Sequence, residues 1–227
     1  IVDDDIALPD LPQARGVAGT LFVHKIAGAL AEGGADLETV TAAARRVIAA
    51  TKSIGMSLDT CTVPGSPKEN RIPAGMAELG LGIHGEAGVE QVDFSGARSA
   101  MTAVVAKLRS AIGDEPHVAL INNLGGTSVL EMSILAHELI QSDIGGLISH
   151  VVGPAAMMTS LDMRGFSISL YPAEAGDIAA LAEPVGPAAW PGLSPVRPVS
   201  VVALPDGLTP IMPLPSDHRP TRDFLTG

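Results

Sequence analysis

The chain has 227 residues, enough for one large or two small domains, and 46% of them are hydrophobic, which excludes disorder over most of the length. Aromatic residues make up only 3%, so the core must be aliphatic. A formal net charge of −11 excludes a general nucleic-acid binder, and the single cysteine, Cys61, excludes an intrachain disulfide framework.

In chain order, Ile1 to Ile6 predicts a short strand. Asp3, Asp4 and Asp5 lie within it, but adjacent strand residues alternate faces and cannot converge on one ion. A polar strand end running into a loop is expected there. Gly16 to Ala31 predicts a helix, with Val17, Leu21, Ile26 and Leu30 at near-helical spacing. His24 and Lys25 in that helix are read as solvated or as packing residues. Asp36 is the N-cap of a second helix, with Leu37, Val40, Ala44, Val47 and Ile48 on one face. Met56 to Val63 predicts a strand ended by Pro64, Gly65 and Pro67, with a polar loop from there to Pro73. Glu78 to Ile83 predicts a short strand.

Ser95 is expected to cap a helix with Met101, Val104, Val105, Leu108 and Ile112 on one side. "HVALINN", His117 to Asn123, predicts a strand buried on both faces. Ser128 and Glu131 stand at capping-box spacing at the head of the next helix. Leu147 to Val152 and Phe166 to Leu170 predict two more strands. Helices and strands alternate throughout, so the fold class is α/β, a mixed sheet flanked by helices. Ten of the 18 prolines lie between Pro184 and Pro220, so residues 1–183 are expected to form the domain and 184–227 a proline-rich linker or tail. The first residue lies inside a predicted strand and the last stretch is polar, which reads as a piece of a longer chain. No run of 18 apolar residues predicts a membrane span, no secretory signal is visible, and a reducing cytoplasm is the expected setting.

The stretch with the most chemical content is "GLGIHGEAG", Gly80 to Gly88. Gly80, Gly82 and Gly85 spell G-x-G-x-x-G, but the residues after Gly85 have no helical apolar face. A dinucleotide site needs a helix starting there, so that reading is weak. Glycines on both sides of a histidine let the backbone take unusual angles and let a ligand come close. Neutral imidazole is available near pH 7 as nucleophile, base or ligand, and Glu86 could orient His84. "NNLGGTS" could bind phosphate through its N–H groups but lacks the lysine of a P-loop, and a tight structural turn is the simpler reading. His117, His137, His150 and His218 are isolated, with no metal-ligand spacing. Cys61 has no basic neighbour in sequence and reads as a small core residue.

"RGVAGTLFVHKIAGALAEGG", "CTVPGSPK", "ELGLGIHGEAGVE", "INNLGGTSVLE" and "TSLDMRGFSISL", in this order, resemble the second half of the dihydroxyacetone (glycerone) kinase substrate-binding subunit or domain, DhaK. The resemblance covers roughly Ile1 to Tyr171. Its most specific element is "GIHGEAG", where the family usually carries proline at the position of Ala87. The resemblance implies a partial DhaK-like domain in which His84 attacks the ketone carbon of dihydroxyacetone and holds it as a hemiaminal. Gly82, His84, Gly85 and Glu86 are the implied substrate contacts. Neither the family's "GGGSGHEP"-like stretch nor its "YTGD"-like stretch is present, so little or no kinase activity is expected of this segment alone. The resemblance further implies that no cofactor binds this segment. ATP and Mg²⁺, or a phosphotransferase relay, would sit on a separate nucleotide-binding (DhaL-like) domain or subunit, and the substrate subunit would be a homodimer. A non-catalytic ketose-binding or regulatory module, or a kinase for another short ketose such as erythrulose, is the alternative.

Overall fold

A computed structural model describes residues 4–6, 15–82 and 88–198. In chain order these form α1 (Thr20–Glu32), α2 (Leu37–Ala50), β1 (Lys52–Ser57), β2 (Met76–Leu79), β3 (Glu90–Asp93), α3 (Ala97–Ala111), β4 (His117–Asn123), α4 (Val129–Ile140), a 3₁₀ turn (Gly145–Leu147), β5 (Ile148–Ala155), β6 (Gly165–Tyr171), α5 (Ala175–Ala182) and β7 (Leu193–Pro195). The strands make one sheet in the order β3-β2-β1-β6-β4-β5-β7. Among these described strands only β4 and β5 run parallel; every other pair is antiparallel. The α/β class expected from the alternation of elements is therefore observed, as a mixed sheet covered by helices on both faces.

Alternation along the strands explains the two layers. Ile54 and Met56 on β1, Ala119 and Ile121 on β4, and Phe166, Ile168 and Leu170 on β6 pack with α3 and α4. The intervening Val118, Leu120 and Tyr171 pack with Phe22, Ile26, Val47 and Leu181 of α1, α2 and α5. β4 is buried along its whole length, as its unbroken apolar run predicts.

Several local readings need correction. The first long strand spans Lys52–Ser57, not Met56 to Val63. It starts directly after α2 because Ile54 and Met56 face the core while small Ser53, Gly55 and Ser57 fill the tighter face; these small residues imitate a loop. β2 ends at Leu79, because Gly80 turns the chain out of the sheet at φ 74°. β3 has no counterpart among the expected strands. The N-cap of α3 is Gly96, and Ser95 only donates its N–H to Ser99 Oγ at 3.0 Å. Asp36 does cap α2, accepting from Thr39 N at 2.8 Å, but Leu37 is 82% exposed and off the core face.

Past Pro184 the chain contributes Trp190 to the α1 side of the core, and β7 pairs with β5. Prolines are compatible with β7 because it is an edge strand, where an absent N–H costs no ladder bond. Residues 199–227 lie outside the described part, as does His218.

Candidate functional site

Both ends of the "GLGIHGEAG" stretch are fixed on the sheet. On the leading side, Gly80 donates its N–H to Gly55 O at 2.8 Å, and Arg15 Nη1 donates to Gly80 O at 3.3 Å. The positive φ of Gly80 favours glycine there. Leu81 is buried and lies over Gly55, whose ideal Cβ would stand 3.4 Å from Leu81 O. Gly82 is buried as well.

On the trailing side, Gly88 is pressed onto β2: a Cβ there would meet Glu78 Cβ at 2.8 Å and Leu79 O at 2.9 Å. Val89 N donates to Leu79 O at 2.9 Å, and Gly88 N donates to Glu78 Oε2 at 3.1 Å. Glu78 is 3% exposed. Arg71 grips the same carboxylate with Nε at 3.0 Å and 3.2 Å and Nη2 at 3.1 Å, and also pairs with Glu69. These hydrogen bonds hold the guanidinium firmly in its charged form.

Ile83, His84, Gly85, Glu86 and Ala87 lie outside the described residues. Of the expected substrate contacts, Gly82 is placed, at the leading stem, while His84, Gly85 and Glu86 fall between the two stems. The trailing stem leads into β3, and the next helix starts at Ala97. Among the described residues no helix N-terminus meets the glycines, which removes the geometric basis of a dinucleotide fingerprint.

Beneath the leading stem four loops share one small core. Leu81, Leu124 and Met163 are buried together and Cys61 packs against them. Each belongs to a different one of the family-like stretches, so the fold brings together what sequence separates. The expected role of Cys61 as a small packing residue agrees with this half-buried position. Lys68 strengthens the cluster from outside, reaching Asp59 at 2.7 Å and Asp162 at 3.0 Å. Hydrogen bonding from Lys68 holds the Asp162 carboxyl below its usual range.

"NNLGGTS" is a structural turn filled by its own side chain. Asn123 Oδ1 accepts from Gly125 N at 2.8 Å and from Thr127 N at 3.4 Å, and Asn123 Nδ2 donates to Thr127 O at 2.7 Å. Gly126 N donates to Met163 O at 2.8 Å, and Ser128 with Glu131 closes the capping box of α4. The N–H groups of the turn itself, from Leu124 to Ser128, are thus already used.

A polar layer lies inside the sheet. Ser53 Oγ donates to Ser169 Oγ at 2.6 Å. Asn122 donates to Met158 O at 2.8 Å and Ser167 Oγ at 3.3 Å, and accepts from Met157 N and Met158 N at 3.1 Å and 2.9 Å. Sequence reading missed this layer and the Arg71–Glu78 clamp. The available signal was the strict serine alternation in "FSISLY".

Asp4 and Asp5 are not an exposed polar strand end. Asp4 is buried and accepts from Val17 N and Gly19 N, both at 2.7 Å, at the head of α1. Asp5 is buried with no hydrogen-bond partner on either oxygen among the described residues, and burial, helped by Asp4 and opposed by Arg15, pushes its carboxyl up to about 7. Asp3 lies outside the described residues. Lys25 is buried and donates to Ala180 O at 2.8 Å and Glu183 O at 2.6 Å, closing the C-terminal end of α5, while His24 is exposed. His117, His137 and His150 stand on β4, α4 and β5, and among the described residues no three His, Cys, Asp or Glu side chains gather around a possible metal position.

The family profile described as the Dak1 domain matches residues 1–189. The dihydroxyacetone kinase of Citrobacter freundii is 41% identical over 207 residues, spanning 89% of this chain and 37% of the relative. Its crystal structure with AMP-PNP and Mg²⁺ superposes with a TM-score of 0.83 over 88% of this chain and 38% of that one, at 40% identity. The dihydroxyacetone-binding subunit DhaK of a PTS-dependent dihydroxyacetone kinase from Listeria innocua is 39% identical over 77% of this chain and 55% of the relative. A dihydroxyacetone kinase operon co-activator, Dha-DhaQ, superposes with a TM-score of 0.73 at 26% identity, over 81% of this chain and 59% of that one. The chain thus spans little more than a third of the kinase and about half of the separate subunit. With the fold, the loop stems and the profile match over most of its length in agreement, the chain belongs to the Dak1 domain family.

Proposed function

We propose that this chain is the part of a dihydroxyacetone kinase that captures the ketose, through a hemiaminal on His84. The observation that carries the reading is the double anchoring of "GLGIHGEAG": Gly80 and Gly88, which flank His84 in the sequence, are both held on the sheet. The family match and the kinase relatives support the substrate class.

The chemistry is compact. The unprotonated imidazole nitrogen of His84 adds to the ketone carbon, the C=O π pair moves to oxygen, and that oxygen takes the proton lost from the ring. A ketone undergoes this addition and an alcohol does not, so covalent capture separates dihydroxyacetone from glycerol. Gly82 and Gly85 let the ketose approach closely, and Glu86 orients the ring. The anchored ketose then holds a terminal hydroxyl for in-line phosphoryl transfer. In this proposal the segment binds no cofactor. ATP with Mg²⁺, or a phosphotransferase relay, acts from a separate DhaL-like domain or subunit, the ketose-binding part is a homodimer, and the setting is cytoplasmic.

Carbonyl-labelled dihydroxyacetone tests the reading directly. Mixed with the full-length protein, its carbonyl carbon resonance is expected to give way to a tetrahedral one, and His84→Ala is expected to restore the carbonyl signal. A tetrahedral signal that survives His84→Ala removes His84 as the nucleophile.

A second reading is a regulatory ketose-binding module, supported by the likeness to the operon co-activator. It shares the capture step and parts from the first at phosphate transfer. Capture without any dihydroxyacetone phosphate, with a nucleotide-binding subunit and ATP supplied, would favour it.

A further inference from the structure

We propose that Glu78 is a positioning residue for the ketose-capturing loop, acting through the Gly88 N–H and held in place by Arg71. The inference rests on the reading of His84 as the capturing residue. Two features of Glu78 go beyond what a strand residue needs. Its carboxylate is almost fully buried on a short strand, a costly place for a charge unless it is paired. And its partners are not only the Arg71 fork but also the backbone N–H at the trailing end of the loop, Gly88 N at 3.1 Å.

The leading stem uses backbone for its ladder contact, Gly80 N on Gly55 O. The trailing stem has a comparable backbone bond one residue later, Val89 N on Leu79 O. At Gly88 itself the acceptor is the Glu78 side chain, so the last residue of the loop is held by a charge-assisted bond. Gly88 has no room for a side chain against Glu78 Cβ, so carboxylate and glycine form one matched contact. Arg71, fixed at the end of the polar loop before β2, removes the freedom of the carboxylate to swing away. Glu69 holds the far side of Arg71 but does not contact the loop stem.

Losing this contact leaves the fold standing and loosens the loop's trailing end. Capture depends on a nucleophile held in line with the carbonyl, and misplacement on the scale of an ångström costs up to about a hundredfold. Glu78→Gln keeps the size of the side chain and removes the charge. Its expected phenotype is a dissociation constant for captured dihydroxyacetone raised by about tenfold or more, read from the tetrahedral carbon resonance. Hydrogen exchange at the Gly88 amide is expected to speed up in parallel. Asp177→Asn, on α5 where it bonds Arg46 and Tyr171, serves as the comparison: it lowers the melting temperature without touching the loop stems and is expected to leave capture unchanged.

Weakened capture in Glu78→Gln with normal capture in Asp177→Asn supports positioning over general loss of stability. Wild-type capture in Glu78→Gln overturns the proposal and leaves the His84 reading intact. If the wild-type protein itself captures nothing, the His84 reading fails, and the Gly88 exchange rate still decides whether Glu78 holds the stem: unchanged exchange overturns it. Should Glu78→Gln fail to fold, Arg71→Lys keeps the charge, loses the fork, and is expected to give the same faster exchange at Gly88 and weaker capture, with unaltered values counting against the proposal.

Discussion

Arg46 and Asp177 face each other fork to fork, with Nη1–Oδ2 and Nη2–Oδ1 both at 2.7 Å. The Tyr171 hydroxyl donates to the same carboxylate at 2.8 Å, as does Glu174 N at 3.2 Å. One buried carboxylate therefore joins α2, β6 and α5. Burial pushes the Asp177 carboxyl up, but the hydrogen bonds from Arg46, Tyr171 and the Glu174 backbone outweigh it and hold the group below its usual range.

A depressed folded-state value means stability that is present above the unfolded carboxylate range and lost as acid protonates the folded group. Asp177→Ala is expected to cost about 2–3 kcal/mol at pH 7. The loss stays moderate because the Arg46 side chain is 42% exposed and water can take over part of its solvation. The gap between wild type and variant should narrow below about pH 4. Urea unfolding at pH 7 and pH 3 measures both quantities.

Asp5 gives the opposite slope. Its folded value is raised to about 7, mainly by burial, so the folded state binds a proton that the unfolded state has released. Stability from this group then declines as pH rises from about 4 towards 7. Asp5→Asn keeps the shape and cannot ionise. It is expected to raise the melting temperature at pH 8 and to leave it nearly unchanged at pH 4; a variant no more stable than wild type at pH 8 would contradict this account.

Gly165 opens β6 where the Leu124 turn meets β1. An added Cβ would stand 2.4 Å from Met56 O and 2.9 Å from Leu124 Cδ1. Backbone on one side and a packed side chain on the other leave nowhere to yield. Gly165→Ala is expected to cost about 3 kcal/mol, seen as a lower urea midpoint with an unchanged slope.

Asn122 carries a further share of stability. Replacing it with alanine leaves Met157 N and Met158 N without their acceptor inside the protein. The expected loss is about 2–3 kcal/mol, with earlier hydrogen exchange at those two amides as the local signature.

Much of this is legible in the sequence where one force dominates. "HVALINN" reads correctly because an unbroken apolar run has one stable home, a strand covered on both faces. Asp36 and the Ser128–Glu131 box read correctly because caps are local. β1 is misplaced by sequence because its small residues serve tertiary contacts: Gly55 lies against Leu81, Ser53 bonds to Ser169 Oγ and Ser57 reaches Arg164 O, a requirement no window of neighbouring residues expresses. β7 is hidden by proline, which an edge strand tolerates. At the site, the motif leads to the loop, but its supports come from elsewhere in the chain. Arg15 is 65 residues from the Gly80 carbonyl it meets, and Arg71 is seven residues from Glu78.

The pairing of β1 with β6 has a consequence for how the molecule is made. Lys52 to Ser57 lie against Leu170 to Gly165, and the Ser53–Ser169 contact closes a span of 116 residues. Contacts this distant in sequence slow folding, because the intervening chain must first surrender its entropy. On a ribosome β1 emerges long before its central neighbour, and until Tyr171 is out the sheet has β4 and β2 with nothing between β1 and β4 to join them. The frame of the histidine loop is thus completed only once β6 has emerged. A nascent chain stalled before β6 is expected to display its aliphatic faces to chaperones rather than to any ketose.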